Sequence, residues 1–383
     1  MHRLKILAIN WHSGGKAGLY SGGGRRARFM LAGLARRGHE VHVVDVAPSV
    51  VSDTPGIATI RTAASWVRPG VSNAPRVEQG AAALYATFRL SYLSMRAVNE
   101  VHPDVIYIPS GELLPCLAAG VVAGRLASRP VAACATTIVR WRAHGPDRLL
   151  HLSRKLLTRT TGTIVLGPAI ADRLRTEGFS GRILIGLTGV EHSPLPSRPV
   201  EPRRLFFLSR IVPEKGVADA VKAFAQVTPR NGIVLAIRGS GPDEERKRVD
   251  ALAKDLGLGE EVRVGGPIET DAEKWQLLSE SWSFIAPSYI EHFGIAVREA
   301  LTAGLPTLAY SLPPFADLGD HPCFMPTPLG DVEQLSRGME RVLALSDQER
   351  AELVRNGLTR SVGPTWDEAA DREEKLLLEV ATP

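Results

Sequence analysis

Short apolar runs alternate with helical stretches from the start of the chain, and polar or Gly-rich turns separate them. The run KILAIN (Lys5–Asn10) leads into the loop WHSGGKAGLYSGGG, which precedes the helical pattern RRARFMLAGLARRGHE. Further apolar runs are VHVVDV, DVIYIP, PVAACATT and GTIVLG, with helical stretches at Leu84–Val98 and Leu113–Leu126. This alternation is typical of α/β domains with a parallel sheet.

A second series of the same kind follows the Pro-rich polar segment Ser193–Arg204, which we predict to be a linker. The series contains LFFLSR, VADAVKAFAQV, GIVLAIRGSG, PDEERKRVDALAKDLGL, EVRVGG and SFIAPS. We therefore predict two doubly wound, Rossmann-like domains, residues 1–195 and 196–365, that face an interdomain cleft. Open α/β sheets bind ligands at the carboxyl ends of their strands, so we expect the ligand in that cleft.

The composition is that of a soluble protein, because 44% of the 383 residues are hydrophobic and 23% are charged. No run approaches the roughly 20 apolar residues that a membrane span requires. The start, MHRLKILAIN, predicts a first strand and not a secretion signal. The three cysteines are widely spaced and form no CxxC pair. They favour neither a disulfide framework nor a zinc site, and they suit the cytoplasm.

Basic residues are concentrated in the first half of the chain. Residues 1–190 contain 24 Lys and Arg against 10 Asp and Glu, whereas residues 191–383 contain 22 against 31. A basic half attracts anionic lipid, a phosphorylated substrate or nucleic acid. Plain solubility, or attraction between the two halves, would also explain the asymmetry. The sequence contains no recognisable nucleic-acid-binding module, so we do not expect nucleic acid as a partner.

The stretch EHFGIAVREALTAGLPTLAY places Glu291 just before a predicted helix and Glu299 on its first turns. A favourable charge at a helix N-terminus is one explanation for these acids. The other is that both carboxylates hold hydroxyl groups while the helix N-terminus faces an anion. In SRIVPEKG, Arg210 and Lys215 follow a predicted strand, where a guanidinium and an ammonium could bind phosphate oxygens. A solvated pair in a loop is the alternative.

Two Gly-rich turns also follow predicted strands. SGGG contains Gly23 and Gly24 ahead of the first helix, and GSGPD begins at Gly239. Glycines allow the backbone to approach a phosphate or a sugar closely. The alternatives are a flexible surface loop and a tight strand-to-helix turn. Neither stretch completes the GxGxxG dinucleotide fingerprint, because Glu244 stands where the second would need its third glycine.

The motifs SRIVPEKG, IRGSGPDEER, APSYIEHFGIAVREALTAGLP and TWDEAA resemble, in order and spacing, those of the retaining nucleotide-sugar glycosyltransferases of the GT-B fold, family four (glycosyltransferase group one). The resemblance covers most of residues 203–370 and is weaker over the first 190. It implies a nucleotide-diphosphate sugar donor that is bound mainly by the second domain. It also implies that a final helix, residues 366–383, packs back on the first domain.

The resemblance further implies roles for single residues. Arg210 and Lys215 match the pair that contacts the diphosphate, and Glu291 matches an acid that lies against the donor sugar; we assign these three to catalysis. Glu299 matches the acid that holds the ribose hydroxyls, since one carboxylate accepts two hydroxyl donors. The other predicted donor-binding residues are Gly23, Gly24, Gly239, Phe293, Gly294 and Ile295.

The acceptor side departs from the family pattern. Members often carry a His at the end of the strand that corresponds to PVAACATT, where this chain has Thr136 and Thr137. His144 and His12 are our candidates for that role. The resemblance makes an anionic or lipid-linked acceptor, or peripheral contact with the inner membrane surface, an expectation for some first-domain arginines: Arg25, Arg26, Arg28, Arg36, Arg37, Arg140, Arg142 and Arg148. For Arg36 and Arg37 a solvated helix face is the favoured interpretation.

We therefore predict a metal-independent, retaining glycosyltransferase that needs no cofactor and transfers a sugar from a nucleotide diphosphate to an acceptor hydroxyl. Preorganised positive potential would stabilise the departing nucleoside diphosphate. The alternatives are a nucleotide-sugar-binding protein without transfer activity, a nucleotide-sugar epimerase of the same fold and, as the weakest, a nicotinamide-dependent dehydrogenase.

Overall fold

The computed structural model describes residues 3–10, 22–45, 56–62, 76–109, 114–135, 153, 155–176, 178–195, 197–230 and 232–382. The chain divides into two compact units: Met1–Gly189 with Pro364–Pro383 form the first, and Val190–Gly363 form the second. It therefore passes from the first unit to the second and back again. The sequence predicts these two boundaries a few residues further on, at 195/196 and 365/366.

The first unit is built on a parallel sheet, with seven strands among the described residues, in the order β3-β2-β1-β4-β5-β6-β7. The strands are β1 (Lys5–Asn10), β2 (Glu40–Asp45), β3 (Ile57–Thr62), β4 (Val105–Ile108), β5 (Val131–Ala135), β6 (Gly162–Val165) and β7 (Ile183–Ile185). The helices described in this unit are α1 (Gly22–Arg36), α2 (Arg76–Val101), α3 (Leu114–Leu126), α4 (Pro168–Thr176) and the C-terminal α11 (Trp366–Ala381).

Helices cover both faces of this sheet, because successive side chains of a strand point to opposite faces. Leu7 and Ile9 of β1 pack into a buried cluster with residues of α2, α3 and α4. Ile6 and Ala8, which alternate with them, pack on the other face against α1 and α11. Strands that are buried on both faces read as continuous apolar runs, which is why KILAIN could be recognised from sequence.

The second unit contains a six-stranded parallel sheet in the order β10-β9-β8-β11-β12-β13. Its strands are β8 (Arg203–Leu208), β9 (Ile233–Arg238), β10 (Val262–Val264), β11 (Ser283–Ala286), β12 (Thr307–Tyr310) and β13 (Phe324–Thr327). Its helices are α5 (Val217–Gln226), α6 (Asp243–Asp255), α7 (Asp271–Ser279), α8 (Ile295–Thr302), α9 (Val332–Leu343) and α10 (Asp347–Leu358), with 3-10 turns at Pro213–Lys215 and Pro313–Leu318. Buried clusters cover both faces here too. The predicted pair of doubly wound α/β units is confirmed.

The C-terminal helix α11 packs on the first unit through a buried polar cluster as well as through apolar contacts. A capping box of Thr365 and Glu368 begins the helix. The guanidinium of Arg26 on α1 donates to the carboxylate of Glu373 at 2.8 Å, and the hydroxyl of Tyr107 donates to the same carboxylate at 2.5 Å. All three side chains are fully or almost fully buried. Burial, followed by the nearby charge of Glu373, raises the pKa of the Tyr107 phenol.

These contacts revise the interpretation of several arginines. Arg25 and Arg26 are buried, so they do not form an exposed basic patch. Arg37 is not on a solvated face, because it pairs with Asp367 at 3.1 Å and with Glu374 at 3.3 Å, both in α11. Part of the charge asymmetry along the chain is therefore compensated inside the first unit, since an acidic C-terminal helix covers a basic N-terminal one.

Two local predictions also need correction. The helix α1 begins at Gly22, so Gly23 and Gly24 lie in its first turn and not in a loop. The Pro-rich segment Ser193–Arg204 is not a free linker but part of the second unit. The backbone N–H groups of Arg198 and Val200 in this segment donate to the carbonyls of residues 279 and 280, at the end of α7. Helix ends have carbonyls without intrahelical partners, and an extended segment can satisfy them.

No helix in the described part of the chain is both long enough and apolar enough to cross a bilayer.

Candidate active site

The predicted donor-binding residues of the second unit gather where its sheet changes direction. From β8 the chain winds to one side through β9 and β10, and then returns to place β11 on the other side of β8. Such a switch point leaves a crevice at the carboxyl ends of the two central strands. Lys215 follows β8 and Glu291 follows β11. The topology alone therefore brings together two segments that are far apart in sequence.

Lys215 and Glu291 form an ion pair at this switch point. The Lys215 ammonium donates to the Glu291 carboxylate at 2.5 Å and to the carbonyl oxygen of Ile290 at 3.1 Å. Both side chains are largely buried, with 13% and 16% of their surfaces exposed. The predicted diphosphate-binding cation and the predicted sugar-binding acid are thus direct neighbours.

A tight turn holds Lys215 in this position. Gly216 has φ = 66°, and a Cβ there would lie 1.8 Å from the carbonyl oxygen of Pro287, just after β11. The backbone N–H of Tyr289 donates to the carbonyl of Glu214 at 2.9 Å. Only glycine allows the turn after β8 to approach the segment after β11 so closely. Gly216, the glycine of PEKG, therefore positions Lys215 in the site.

Arg210 and Gly239 lie side by side at the carboxyl ends of β8 and β9. The backbone N–H of Ser209 donates to the carbonyl of Arg238, and that of Ile211 to the carbonyl of Ser240 at 2.7 Å. A Cβ on Gly239 would lie 1.6 Å from the carbonyl oxygen of Ser209. GSGPD is thus a close-packed strand-to-helix turn that leads into α6, and the Arg210 side chain beside it is half-buried.

The helix α8 begins at Ile295, directly after Gly294, which adopts a left-handed conformation with φ = 73°. A Cβ at Gly294 would come within 2.2 Å of the Phe315 ring. The N–H groups of the first helical turn have no partner inside a helix and attract anions. Phe293, Gly294 and Ile295 therefore present backbone to the region beside Glu291.

Arg298 fixes the segment that precedes α8. Its buried guanidinium donates to the carbonyl of Phe293 at 3.0 Å and forms a fork with the Asp317 carboxylate at 2.8 and 2.9 Å. It also stacks 4.2 Å from the centre of the Phe293 ring. The motifs in the sequence predict no role for this residue. Its position on the buried face of a short amphipathic helix could have indicated a structural role, because buried arginines require partners.

Glu299 lies one turn into α8 and is 3% exposed. Its carboxylate accepts a hydrogen bond from the ammonium of Lys274, on α7, at 3.0 Å. Lys274 is itself 3% exposed, and the motifs predict no role for it either. Its burial could have been predicted from TDAEKWQLLS, because in a helix this lysine lies on the same face as the buried Leu278.

Asp219 supports the segment between β11 and Glu291. Its carboxylate accepts hydrogen bonds from the hydroxyls of Tyr289 at 2.6 Å and of Tyr310 at 2.8 Å. Its hydrogen bond to Asp219, followed by burial, raises the pKa of Tyr289. Burial, followed by its own hydrogen bond to Asp219, raises the pKa of Tyr310. Both phenols thus stay protonated as donors. This cluster ties α5 and β12 to the residues just before Glu291.

The remaining candidates lie in the first unit. Gly23 and Gly24 occupy the first turn of α1. His12 and His144, together with Thr136 and Thr137, lie outside the described residues. Within the described ranges, no group of three or more His, Cys, Asp or Glu side chains is arranged to hold a metal ion.

The fold matches solved glycosyltransferase structures along almost its whole length. Alr3699/HepE from Anabaena, solved with UDP and glucose, superposes with a TM-score of 0.76 over 98% of this chain and 100% of that one, at 17% identity. Sucrose-phosphate synthase from Thermosynechococcus elongatus gives a TM-score of 0.74 over 99% of both chains, at 19% identity. The two units therefore have the GT-B architecture that the sequence predicts.

A family model matches the sequence of the second unit. The family model "Glycosyl transferases group 1" matches residues 192–360, nearly all of the second unit. The second unit therefore matches the group 1 glycosyl transferases, as its motifs predicted.

Among curated relatives, 2-deoxystreptamine glucosyltransferase of Streptomyces kanamyceticus is 27% identical over 63% of this chain. Exopolysaccharide phosphotransferase SCO2592 of Streptomyces coelicolor is 34% identical over 35% of it. The matches span 68% of the first protein's length and only 14% of the second's.

Proposed function

We propose that the protein transfers a sugar, with retention and without a metal ion, from a nucleotide-diphosphate donor to an acceptor hydroxyl. The supporting observation is the arrangement in the second unit, where Lys215, Glu291 and the N-terminus of α8 meet at the switch point and Glu299 lies one turn along the same helix. The family match and the similarity to a protein that binds UDP-glucose support the same donor class.

The diphosphate would bind to Arg210, Lys215 and the N–H groups at the start of α8. The bond between the anomeric carbon and the diphosphate oxygen breaks, and the carbon bonds to the acceptor oxygen on the same face of the sugar. The acceptor's proton leaves with the departing diphosphate. Two cations and a helix N-terminus aimed at the developing charge would lower the barrier, because they need not reorganise during the step.

The two acids would divide the recognition of the donor. Glu299, buried on α8, would accept hydrogen bonds from the ribose hydroxyls. Glu291 would accept them from the hydroxyls of the transferred sugar, with Lys215 moving from the carboxylate to the diphosphate. A carboxylate suits both tasks because its two oxygens can accept two donors at once.

Binding and transfer can be tested separately. The protein would be screened by thermal shift against UDP, GDP and ADP and their sugars, since a ligand that binds only the folded state raises its melting temperature. The preferred donor would then be incubated with candidate acceptors in the presence of EDTA, and the anomeric configuration of the product determined by NMR. A glycoside with inverted configuration, or transfer abolished by EDTA, would refute the corresponding part of the proposal.

The Lys215→Ala variant tests whether transfer takes place at this site. Loss of one preorganised group that stabilises the leaving group costs about 10²- to 10³-fold in turnover. Unchanged turnover in this variant would place the chemistry elsewhere. Nucleotide binding without any glycoside would instead favour a binding protein, and an altered free nucleotide sugar would favour an epimerase.

A further inference from the structure

Lys274 is a buried cation that three carboxylates surround. Its ammonium lies 3.0 Å from the nearest carboxylate oxygen of Glu299, 3.4 Å from that of Glu191 and 3.7 Å from that of Asp271. It also lies 3.9 Å from the centre of the Trp275 ring. Only 4% of the side chain's surface is exposed. The proposed function uses Glu299 but leaves this lysine without a task.

A buried lysine at this position lowers the stability of the fold, and core packing gives no reason for its presence. Removal of an ammonium from water is strongly unfavourable, and an ion pair repays it only when the geometry is good. Trp275 and Leu278 on the same helix already supply apolar contacts to the core. An apolar residue in place of Lys274 would serve packing at least as well, so the charge itself must be useful.

The surroundings of Glu299 show what the charge does. Glu191 belongs to the segment that leads into β8, and its carbonyl lies 3.3 Å from the hydroxyl of Thr302, which donates to the carbonyl of Glu299 at 2.7 Å. The backbone N–H of Ser193 donates to that hydroxyl at 3.1 Å. Glu191 and Glu299 are thereby held close together around one ammonium. Without a cation between them, the two carboxylates would repel each other, and Glu299 would lose the partner that fixes its position.

We propose that Lys274 is a positioning residue for Glu299: its charge holds this carboxylate in the orientation that accepts both ribose hydroxyls of the nucleotide. The inference rests on the proposed function, in which Glu299 binds the ribose. Lys274 touches neither the sugar nor the diphosphate in this scheme, so it acts only through Glu299.

The experiment compares the affinity of each variant for the preferred nucleoside diphosphate and for its 2′,3′-dideoxy analogue, measured by calorimetry. The ratio of the two dissociation constants isolates the contribution of the ribose hydroxyls, which a general loss of packing would not change. The variants are Lys274→Met, Lys274→Arg and Glu299→Gln. Lys222→Met, an exposed lysine on α5, is the matched control.

We expect the wild-type protein and Lys222→Met to prefer the ribose form by about 100-fold, since hydrogen bonds to a charged group are individually strong. In Lys274→Met and Glu299→Gln the preference should fall below about fivefold, whereas Lys274→Arg should retain at least about tenfold.

A folded Lys274→Met variant with the wild-type ratio would overturn the proposal, provided that Glu299→Gln loses it. If Lys274→Met fails to fold, Lys274→Gln, which keeps a donor but not the charge, replaces it under the same criterion. A wild-type protein that binds no nucleoside diphosphate would refute the proposed function instead. A wild-type protein that binds one but shows no preference for the ribose form would refute the role assigned to Glu299.

Discussion

Lys215 and Glu291 are bonded to each other at 2.5 Å, although 76 positions separate them in the chain. In the proposed reaction one of them holds the diphosphate and the other the sugar, so they must exchange partners when the donor binds. The ion pair therefore competes with the bound diphosphate for the ammonium.

This competition predicts opposite effects of Glu291→Gln on two ligands. Lys215 loses its charged partner, so the affinity for the bare nucleoside diphosphate should increase a few-fold. Turnover with the sugar donor should fall by about 100-fold or more, because the acid against the sugar is lost. Calorimetry and an initial-rate assay measure the two effects. Glu352→Gln, on the exposed surface of α10, is the control, and a parallel loss of both quantities would contradict the exchange of partners.

The glycine before α8 makes a prediction about folding. Gly294→Ala puts a side chain at φ = 73° and within 2.2 Å of the Phe315 ring. The backbone strain alone costs about 1–3 kcal/mol. Replacing Phe315 by Leu in the same chain should recover the steric part of the loss but not the strain.

Gly259→Ala is the matched control for this variant, since a Cβ there meets nothing within 4 Å and its φ is not in the left-handed region. Amide hydrogen exchange along α8 and β11 would report on the stability of the second unit. Equal stabilities for the two alanine variants would contradict the packing described around Gly294.

The buried pair of Arg26 and Glu373 predicts how much α11 contributes to the first unit. Glu373→Gln leaves a buried guanidinium without its counter-charge, which typically costs about 3–5 kcal/mol. Glu379→Gln breaks a pair with Arg182 whose side chains are almost half exposed, and such surface pairs contribute about 0–1 kcal/mol. Amide hydrogen exchange along β4 and α11 would measure the free energy of opening. Similar values for the two variants would show that the buried pair is dispensable.

His321 predicts a pH dependence of stability in the second unit. Burial, followed by the nearby charge of Arg360, lowers the pKa of this imidazole. Below the ordinary His pKa of about 6.5, the unfolded chain therefore binds a proton that the folded unit does not. The free energy of unfolding should rise with pH up to about 6.5 and gain nothing more from His321 above it. Denaturation of the wild type and of His321→Asn between pH 5 and 8 isolates this contribution, and identical slopes would exclude it.

The elements that sequence predicted best are those whose local pattern and tertiary environment agree. KILAIN has four consecutive apolar residues at its centre and becomes β1 with the same limits. IATIRT (Ile57–Thr62) and the three-residue strand Ile183–Ile185 were missed, since an edge strand or a very short one carries little apolar signal. The Pro-rich composition of Ser193–Arg204 was misleading, because it reports an extended backbone and says nothing about what that backbone packs against.

The side-chain contacts of the site were also only partly predictable from the sequence. Motif spacing indicated Glu299 and Lys215, but it could not show which charges neutralise them. Lys274 reaches Glu299 from a helix 25 positions earlier in the chain, and such pairing depends on how α7 and α8 pack. Local sequence does not encode that packing.

The return of the chain to the first unit has a consequence for biosynthesis. Residues 190–363 of the second unit are contiguous, so this unit can fold as soon as they have left the ribosome. The first unit, although its sheet is made earlier, must wait for residues 364–383, and until α11 arrives Arg26 has no Glu373 to face. The nascent chain would thus complete its later half first, with the earlier half in need of protection from aggregation during that delay.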